Sequence, residues 1–148
     1  MSLLTLHDLT VTLQTPGGVL YAVNKVALQL EPGRTVALVG ESGSGKSMTA
    51  RAIMGLLPPG GTVLSGSITF EGHELTSLPE PERRTLRGNR IAMIFQEPMT
   101  SLNPVLRIGD QVMEPLLLHR GLDQQQARLQ AIDLLRQVGV ASPEQRIS

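Results

Sequence analysis

Gly40, Gly45, Lys46 and Ser47 stand in the spacing G-x-x-x-x-G-K-[ST] within the stretch VALVGESGSGKSMTARAIMGLL. Each residue type has a task in holding a chain of phosphates. Gly43 and Gly45 permit backbone dihedrals denied to other residues, so consecutive amides from Ser42 to Ser47 can curl round a phosphate. A helix starting there adds the partial positive charge of its N-terminus. Lys46 brings a cation to the outer phosphates, and the Ser47 hydroxyl is a hard oxygen ligand for magnesium bridging them. The spacing therefore predicts a cradle of Gly40, Glu41, Ser42, Gly43, Ser44, Gly45, Lys46, Ser47 and Met48. A plain glycine turn with an exposed lysine is the simpler alternative; an apolar run before the motif and a helical pattern after it favour the cradle.

A second polar candidate ends another apolar run, in RIAMIFQEPMTSLNP. Gln96 stands there at the carboxyl end of an expected strand, where ligands bind in open α/β folds. It can orient water or complete a metal shell, or it can simply cap the strand with its amide.

These residues need elements to hold them. TVALVG and RIAMIFQ are continuously apolar, as suits strands covered on both faces in a parallel sheet. LLTLHDLTVTL and NKVALQL alternate instead, the first with a break at HD, and read as half-buried antiparallel strands joined by the turn TPGG. SGSITFEG is a further outer strand. A helix is expected over 46–57, with Ala50, Ile53, Met54 and Leu57 on one stripe and PPGG as its stop. A second runs over 124–138, capped by Asp123 and closed by Gly139, with Ala127, Ala131, Leu134, Leu135 and Val138 inward. The fold class is α/β.

Composition narrows the partners. The 148 residues include no cysteine and no tryptophan, which excludes a disulfide framework and suits a soluble cytosolic domain. The N-terminus has no basic region before an apolar run, so no secretory signal is expected. Thirteen basic and thirteen acidic residues cancel, leaving no net field to gather nucleic acid. Tyr21, Phe70 and Phe95 are the aromatics, too few for base stacking. Arg83, Arg84, Arg87 and Arg90 therefore read as a solvated helix face and connector rather than a phosphate patch. Leu116, Leu117 and Leu118 form a run too short to span a bilayer and are expected to pack within a helical arm or to face residues beyond this stretch.

Taken together, VALVGESGSGKSMTARAIMGLL, SGSITFEGHEL, LRGNRIAMIFQEPMTSLNP and GDQVMEPLLLHRG resemble the ATP-binding subunits of ABC transporters, in the oligopeptide, dipeptide and nickel import branch. The likeness covers nearly the whole chain. It implies a P-loop NTPase fold, an ABC-type nucleotide-binding domain with an antiparallel β subdomain and an incomplete helical subdomain, of which residues 1–148 are the N-terminal part. It implies ATP and Mg2+ as cofactors, a head-to-tail dimer with a second ATP-binding subunit or domain, transmembrane permease subunits as partners, and an indirect link to an extracytoplasmic solute-binding protein. Nucleic acid is not among the partners. The place implied is the cytoplasmic face of the inner membrane, as a peripheral subunit that energises import of peptides or related small solutes.

The resemblance also assigns residues. Lys46 and Gln96 take catalytic roles, Ser47 and Gln96 contact magnesium, Gln96 meets the attacking water, and the loop from Gln96 to Pro104 touches the permease. The family stacks adenine on an aromatic just after the first strand; Leu13 is nearest to that position, with Tyr21 on the return strand as the nearby aromatic. The family's LSGGQ signature, its Asp-Glu strand and its switch histidine have no match here, and His7, His73 and His119 read as surface or loop residues. A chain of this content is expected to bind nucleotide without hydrolysing it alone. Two alternatives stay open, a non-transport ABC-type ATPase and a non-catalytic nucleotide-binding module.

Overall fold

The computed structural model describes residues 2–97 and 101–147. They fall into two compact units, Met1–Arg87 and Gly88–Ser148. The first unit is built on a four-stranded antiparallel sheet. Strands β1 (Leu4–Thr15), β2 (Gly18–Leu30), β3 (Gly61–Phe70) and β4 (His73–Glu74) are ordered β2-β1-β3-β4, so β2 forms one edge. The Pro16-Gly17 turn joins β1 to β2 as expected, pairing Thr15 with Gly18.

The break at His7-Asp8 has a structural cause. Asp8 takes φ 46°, and the register of β1 against both neighbours shifts between Leu6 or His7 and the next paired residues. A bulge of this kind lets Leu6 and Leu9, three apart, both enter the core, where each is fully buried. Lys25, at φ 48°, makes a matching irregularity on β2. Val11, Val23, Ile68, Phe70 and Leu75 complete the buried apolar set of this unit, together with Ala52 and Met54 of helix α1 (Lys46–Met54).

Helix α1 is shorter than its pattern predicts. Gly55, at φ 63°, closes it in the left-handed conformation, before the PPGG stop is reached. Its buried residues are Thr49, Ala52 and Met54, so the inward face is turned from the expected stripe; Ala50, Ile53 and Leu57 are half-buried. Helix α2 (Glu80–Leu86) completes the unit.

The two apolar runs expected in a parallel sheet depart from the reading. Residues 34–41 and 92–95 form no ladder among the described residues. Val39 is 94% exposed and Ile94 97%. An apolar run records that a segment is made for burial; it does not say which neighbours bury it, and without them its N–H and C=O groups have no ladder to join.

The second unit packs α3 (Ile108–Arg120), α4 (Gln124–Gln137) and the short α5 (Pro143–Arg146) around Met113, Leu116, Ala127, Ala131 and Ile147. Asp123 caps α4 as expected: its carboxylate accepts from the Gln126 amide, and the Gln126 side chain accepts from the Asp123 N–H. Of the leucine run, Leu116 is buried, Leu117 packs against the same cluster and Leu118 is exposed. Leu134 and Val138, expected inward, are also exposed.

Candidate functional site

The phosphate loop joins the unladdered segment 34–40 to α1 and closes through its own bonds. The Ser44 N–H donates to Glu41 O at 3.2 Å, so one of the amides expected to face a ligand is spent on the turn. Gly43 at φ 83° and Gly45 at φ 90° supply the two left-handed residues that the motif calls for. Gly45 is also the N-cap of α1, and no side chain caps that end; its first turn has no acidic residue. The amides and the positive end of the helix dipole are thus left for an anion.

Lys46 folds back across the loop. Its Nζ donates to Gly40 O and Glu41 O at 2.7 Å each and to Ser44 Oγ at 3.2 Å. The cation is held over the concave side of the loop by three acceptors rather than free in solvent. Ser47 is exposed in the first turn of α1, and Met48 beside it is half-buried. Among the described residues no group of three or more His, Asp or Glu side chains can hold a metal ion. One exposed hydroxyl beside a phosphate loop fits magnesium, which keeps several waters and shares its shell with substrate phosphates.

Two contacts that fix the loop had no signal in the motif. A Cβ on Gly45 would lie 2.4 Å from Ala22 O, so β2 presses its backbone directly against the loop. Thr49, buried, donates its hydroxyl to Gly45 O at 3.0 Å and so pins the first turn of α1. Tyr21 precedes Ala22, pairs with Thr12 across β1 and β2, and is 59% exposed. Leu13 is half-buried and packs toward Gly61, where a Cβ would meet its side chain at 3.1 Å. Of the two adenine candidates, Tyr21 is the one next in sequence to the residue that touches the loop.

Arg83 and Arg87 depart from the expected solvated face, while Arg84 and Arg90 are exposed. Arg83 donates to Leu75 O at 2.7 Å and to Leu78 O at 3.2 Å, and a Cβ on Gly55 would lie 2.3 Å from its Nη1. Arg87 donates from Nε to Met54 O at 2.7 Å and from Nη2 to Gly55 O at 3.1 Å, capping the end of α1. The same guanidinium meets both oxygens of Glu80, at 2.6 and 3.2 Å. That hydrogen bond from Arg87 holds the Glu80 carboxyl below its ordinary pKa against a smaller opposing desolvation, with the charges of Arg87, Arg83 and Arg84 adding to it. A charge run carries no mark in sequence that separates solvated arginines from ones reaching back to carbonyls thirty residues away.

Gln96 lies in the second unit, exposed at a bend after the segment 92–95. Pro98, Met99 and Thr100 of the expected permease loop lie outside the described residues. The same unit contains a groove of about 430 Å³, lined by Leu106, Met113, Leu117 and Leu118 and edged by the carboxylates of Asp110 and Glu114.

The model of the ABC transporter family matches residues 23–148. The chain is 48% identical over 145 residues to the oligopeptide transport ATP-binding protein OppD of Salmonella typhimurium, covering 98% of this chain and 43% of that protein. It is 44% identical to the dipeptide transport ATP-binding protein DppD of Lactococcus lactis, covering 98% of this chain and 42% of the relative. Among solved structures it superimposes on the dimeric ATP-binding cassette MJ0796 bound to ADP and Pi with a TM-score of 0.81 at 25% identity, over 97% of this chain and 60% of that one. The chain thus spans about two fifths of the length of these curated relatives.

Proposed function

The chain belongs to the ABC transporter family and carries the P-loop NTPase fold of its cassettes; from that premise we propose that it is the phosphate-binding part of an ATP-binding subunit that energises uptake of peptides or related small solutes. The observation that carries the reading is the uncapped, acid-free N-terminus of α1 with Lys46 folded over it, in a chain whose relatives are named for oligopeptide and dipeptide transport. Lys46 binds the outer phosphates of ATP, the Ser47 hydroxyl ligates Mg2+, and Tyr21 stacks on adenine. When bound, Mg2+ neutralises charge developing on the transferred phosphoryl group. Gln96 orients water for attack in the complete protein.

The remaining length of the relatives leaves room for what is not in 1–148: a general base, a second metal contact, and strands to pair with 34–41 and 92–95. The 148 residues alone accordingly bind MgATP without turning it over. The partners are a second ATP-binding subunit or domain and membrane permease subunits, which place the protein at the cytoplasmic face of the membrane. Within the second unit, the groove lined by Met113 and Leu117 accepts a short amphipathic helix of a permease, its acidic edge facing basic side chains of that helix.

Calorimetric titration of MgATP into the wild-type chain and Lys46→Ala tests the assignment. Removing the cation is expected to weaken binding at least about 100-fold, since charge-assisted bonds to several phosphate oxygens are lost together. Equal binding by the two proteins would end it.

A further inference from the structure

The first unit has a cavity of about 390 Å³ that nucleotide binding leaves unused. It lies where the end of α1 meets the start of β3, with Ala52, Leu57, Val63 and Leu75 among its walls and the Thr76 and Arg83 side chains among its polar groups. All of them belong to Met1–Arg87, and none takes part in the phosphate loop at the other end of α1.

The cation in this cavity is only partly engaged. Nη2 of Arg83 donates to Leu75 O and Leu78 O, while Nε is buried without a hydrogen-bond partner. A guanidinium carries five donors, and a sheltered one left without an acceptor marks a place where a further oxygen belongs. The carboxylates nearby are engaged with other groups. Both oxygens of Glu80 are taken by Arg87, and Oε1 of Glu74 accepts from the Ile68 and Thr76 amides and from the Thr76 hydroxyl. Gly55 keeps the guanidinium where it is, since a Cβ there would collide with Nη1 and with the Cδ and Cζ of Arg83.

We propose that this cavity binds a small organic carboxylate, its acid group on Arg83 and its hydrocarbon body against Leu57, Val63 and Leu75. A single guanidinium matches a single negative charge, and a partly desolvated site makes that match stronger than it would be in water. The aliphatic walls favour a ligand with an apolar body over inorganic phosphate, whose second charge would meet no second cation among the residues lining the cavity. The volume stands at the small end of the range for ligand pockets, which suits a branched or aromatic acid of about ten heavy atoms.

The test reads the cavity directly, with the phosphate loop filled by saturating MgADP. Full-length protein carrying labelled leucine and valine methyl groups is titrated with benzoate and, in parallel, with benzamide. Benzoate is expected to shift the methyl resonances of Leu57, Val63 and Leu75 saturably, and the amide to bind at least about tenfold more weakly, because it lacks the charge that strengthens bonds to a guanidinium. Arg83→Gln should abolish the preference for the acid. Val63→Phe fills the space with Arg83 still in place and should weaken benzoate at least about tenfold, as expected when a close-fitting site is overfilled. No shift at these methyl groups would overturn the proposal. So would equal binding of acid and amide by wild type, the mark of an apolar hollow without a carboxylate site, or benzoate binding unaltered by both substitutions. The wild-type comparison of acid with amide decides the matter even if Arg83→Gln fails to fold, and it stands whether or not the protein hydrolyses ATP.

Discussion

Two apolar runs lead to polar chemistry in this molecule, 35–39 into the phosphate loop and 91–95 into Gln96, and they fare differently. Both are largely exposed, and 35–39 and 92–95 form no ladder among the described residues. Yet the first delivers its chemistry into a formed loop, because that loop is closed by its own bonds, by α1 and by the carbonyl of Ala22. The second ends at an exposed bend. A site made from local turns and one helix is built by its own residues; a site at the end of a sheet strand is only as defined as the sheet. On the proposed reading, phosphate binding belongs to the first kind and water positioning to the second.

The contrast would break most visibly at Gln96. Gln96→Ala should leave calorimetric MgATP affinity of the 148-residue chain within about twofold, and lower ATP turnover of the full-length protein about 100-fold, the scale of a lost proton-transfer or water-orienting group. If the short chain loses affinity instead, the two sites are not separable in this way. Gly45→Ala probes the other side. With φ at 90° and Ala22 O at 2.4 Å from the new methyl, the loop must move. A loss of about 1–3 kcal/mol in stability is expected from the strained backbone, accompanied by weaker MgATP binding; unaltered melting and affinity would show that Ala22 does not set the loop.

Two smaller effects sharpen the comparison by touching neither site. Asp123→Ala removes the carboxylate half of the capping box of α4, leaving the backbone N–H that donates to Gln126, and should cost about 1 kcal/mol in denaturant unfolding with MgATP affinity unchanged. The smallest concerns acid. Glu80 has its folded pKa held below its unfolded value, so its contribution is present above the unfolded pKa and disappears as pH falls through the folded one. Glu80→Gln should lower stability slightly near neutrality, and the difference from wild type should vanish under acid titration; a gap that widens with acid would contradict the pairing with Arg87.

Much of this was legible in the sequence because it is local. The phosphate-loop spacing, the Asp123 cap with Gln126 three residues on, the paired outer strands and even the His7-Asp8 break all depend on residues close in the chain. What escaped depends on distance. On α1 Met54 is buried as expected, but Thr49 and Ala52 join it in place of Ala50, Ile53 and Leu57, because the face of a short helix is chosen by what it packs against. Gly55 ends the helix before the prolines do because a left-handed glycine suffices. Arg83 and Arg87 read as solvated charge because nothing near them names Met54 or Gly55 as their acceptors. The expected parallel sheet rests on composition alone, whereas a ladder is a property of pairs, and 34–41 and 92–95 form none among the described residues.

The edge position of β2 has a consequence for handling the protein. An edge strand offers unpaired N–H and C=O groups to any other extended chain, and β2 exposes Val19, Leu20 and Tyr21 along its first half, the kind of surface from which aggregates grow. Lys25, in the left-handed region with its N–H donated to Thr10 Oγ1, interrupts the strand midway. A lysine substituted at Val19 should raise the concentration at which the chain stays monomeric.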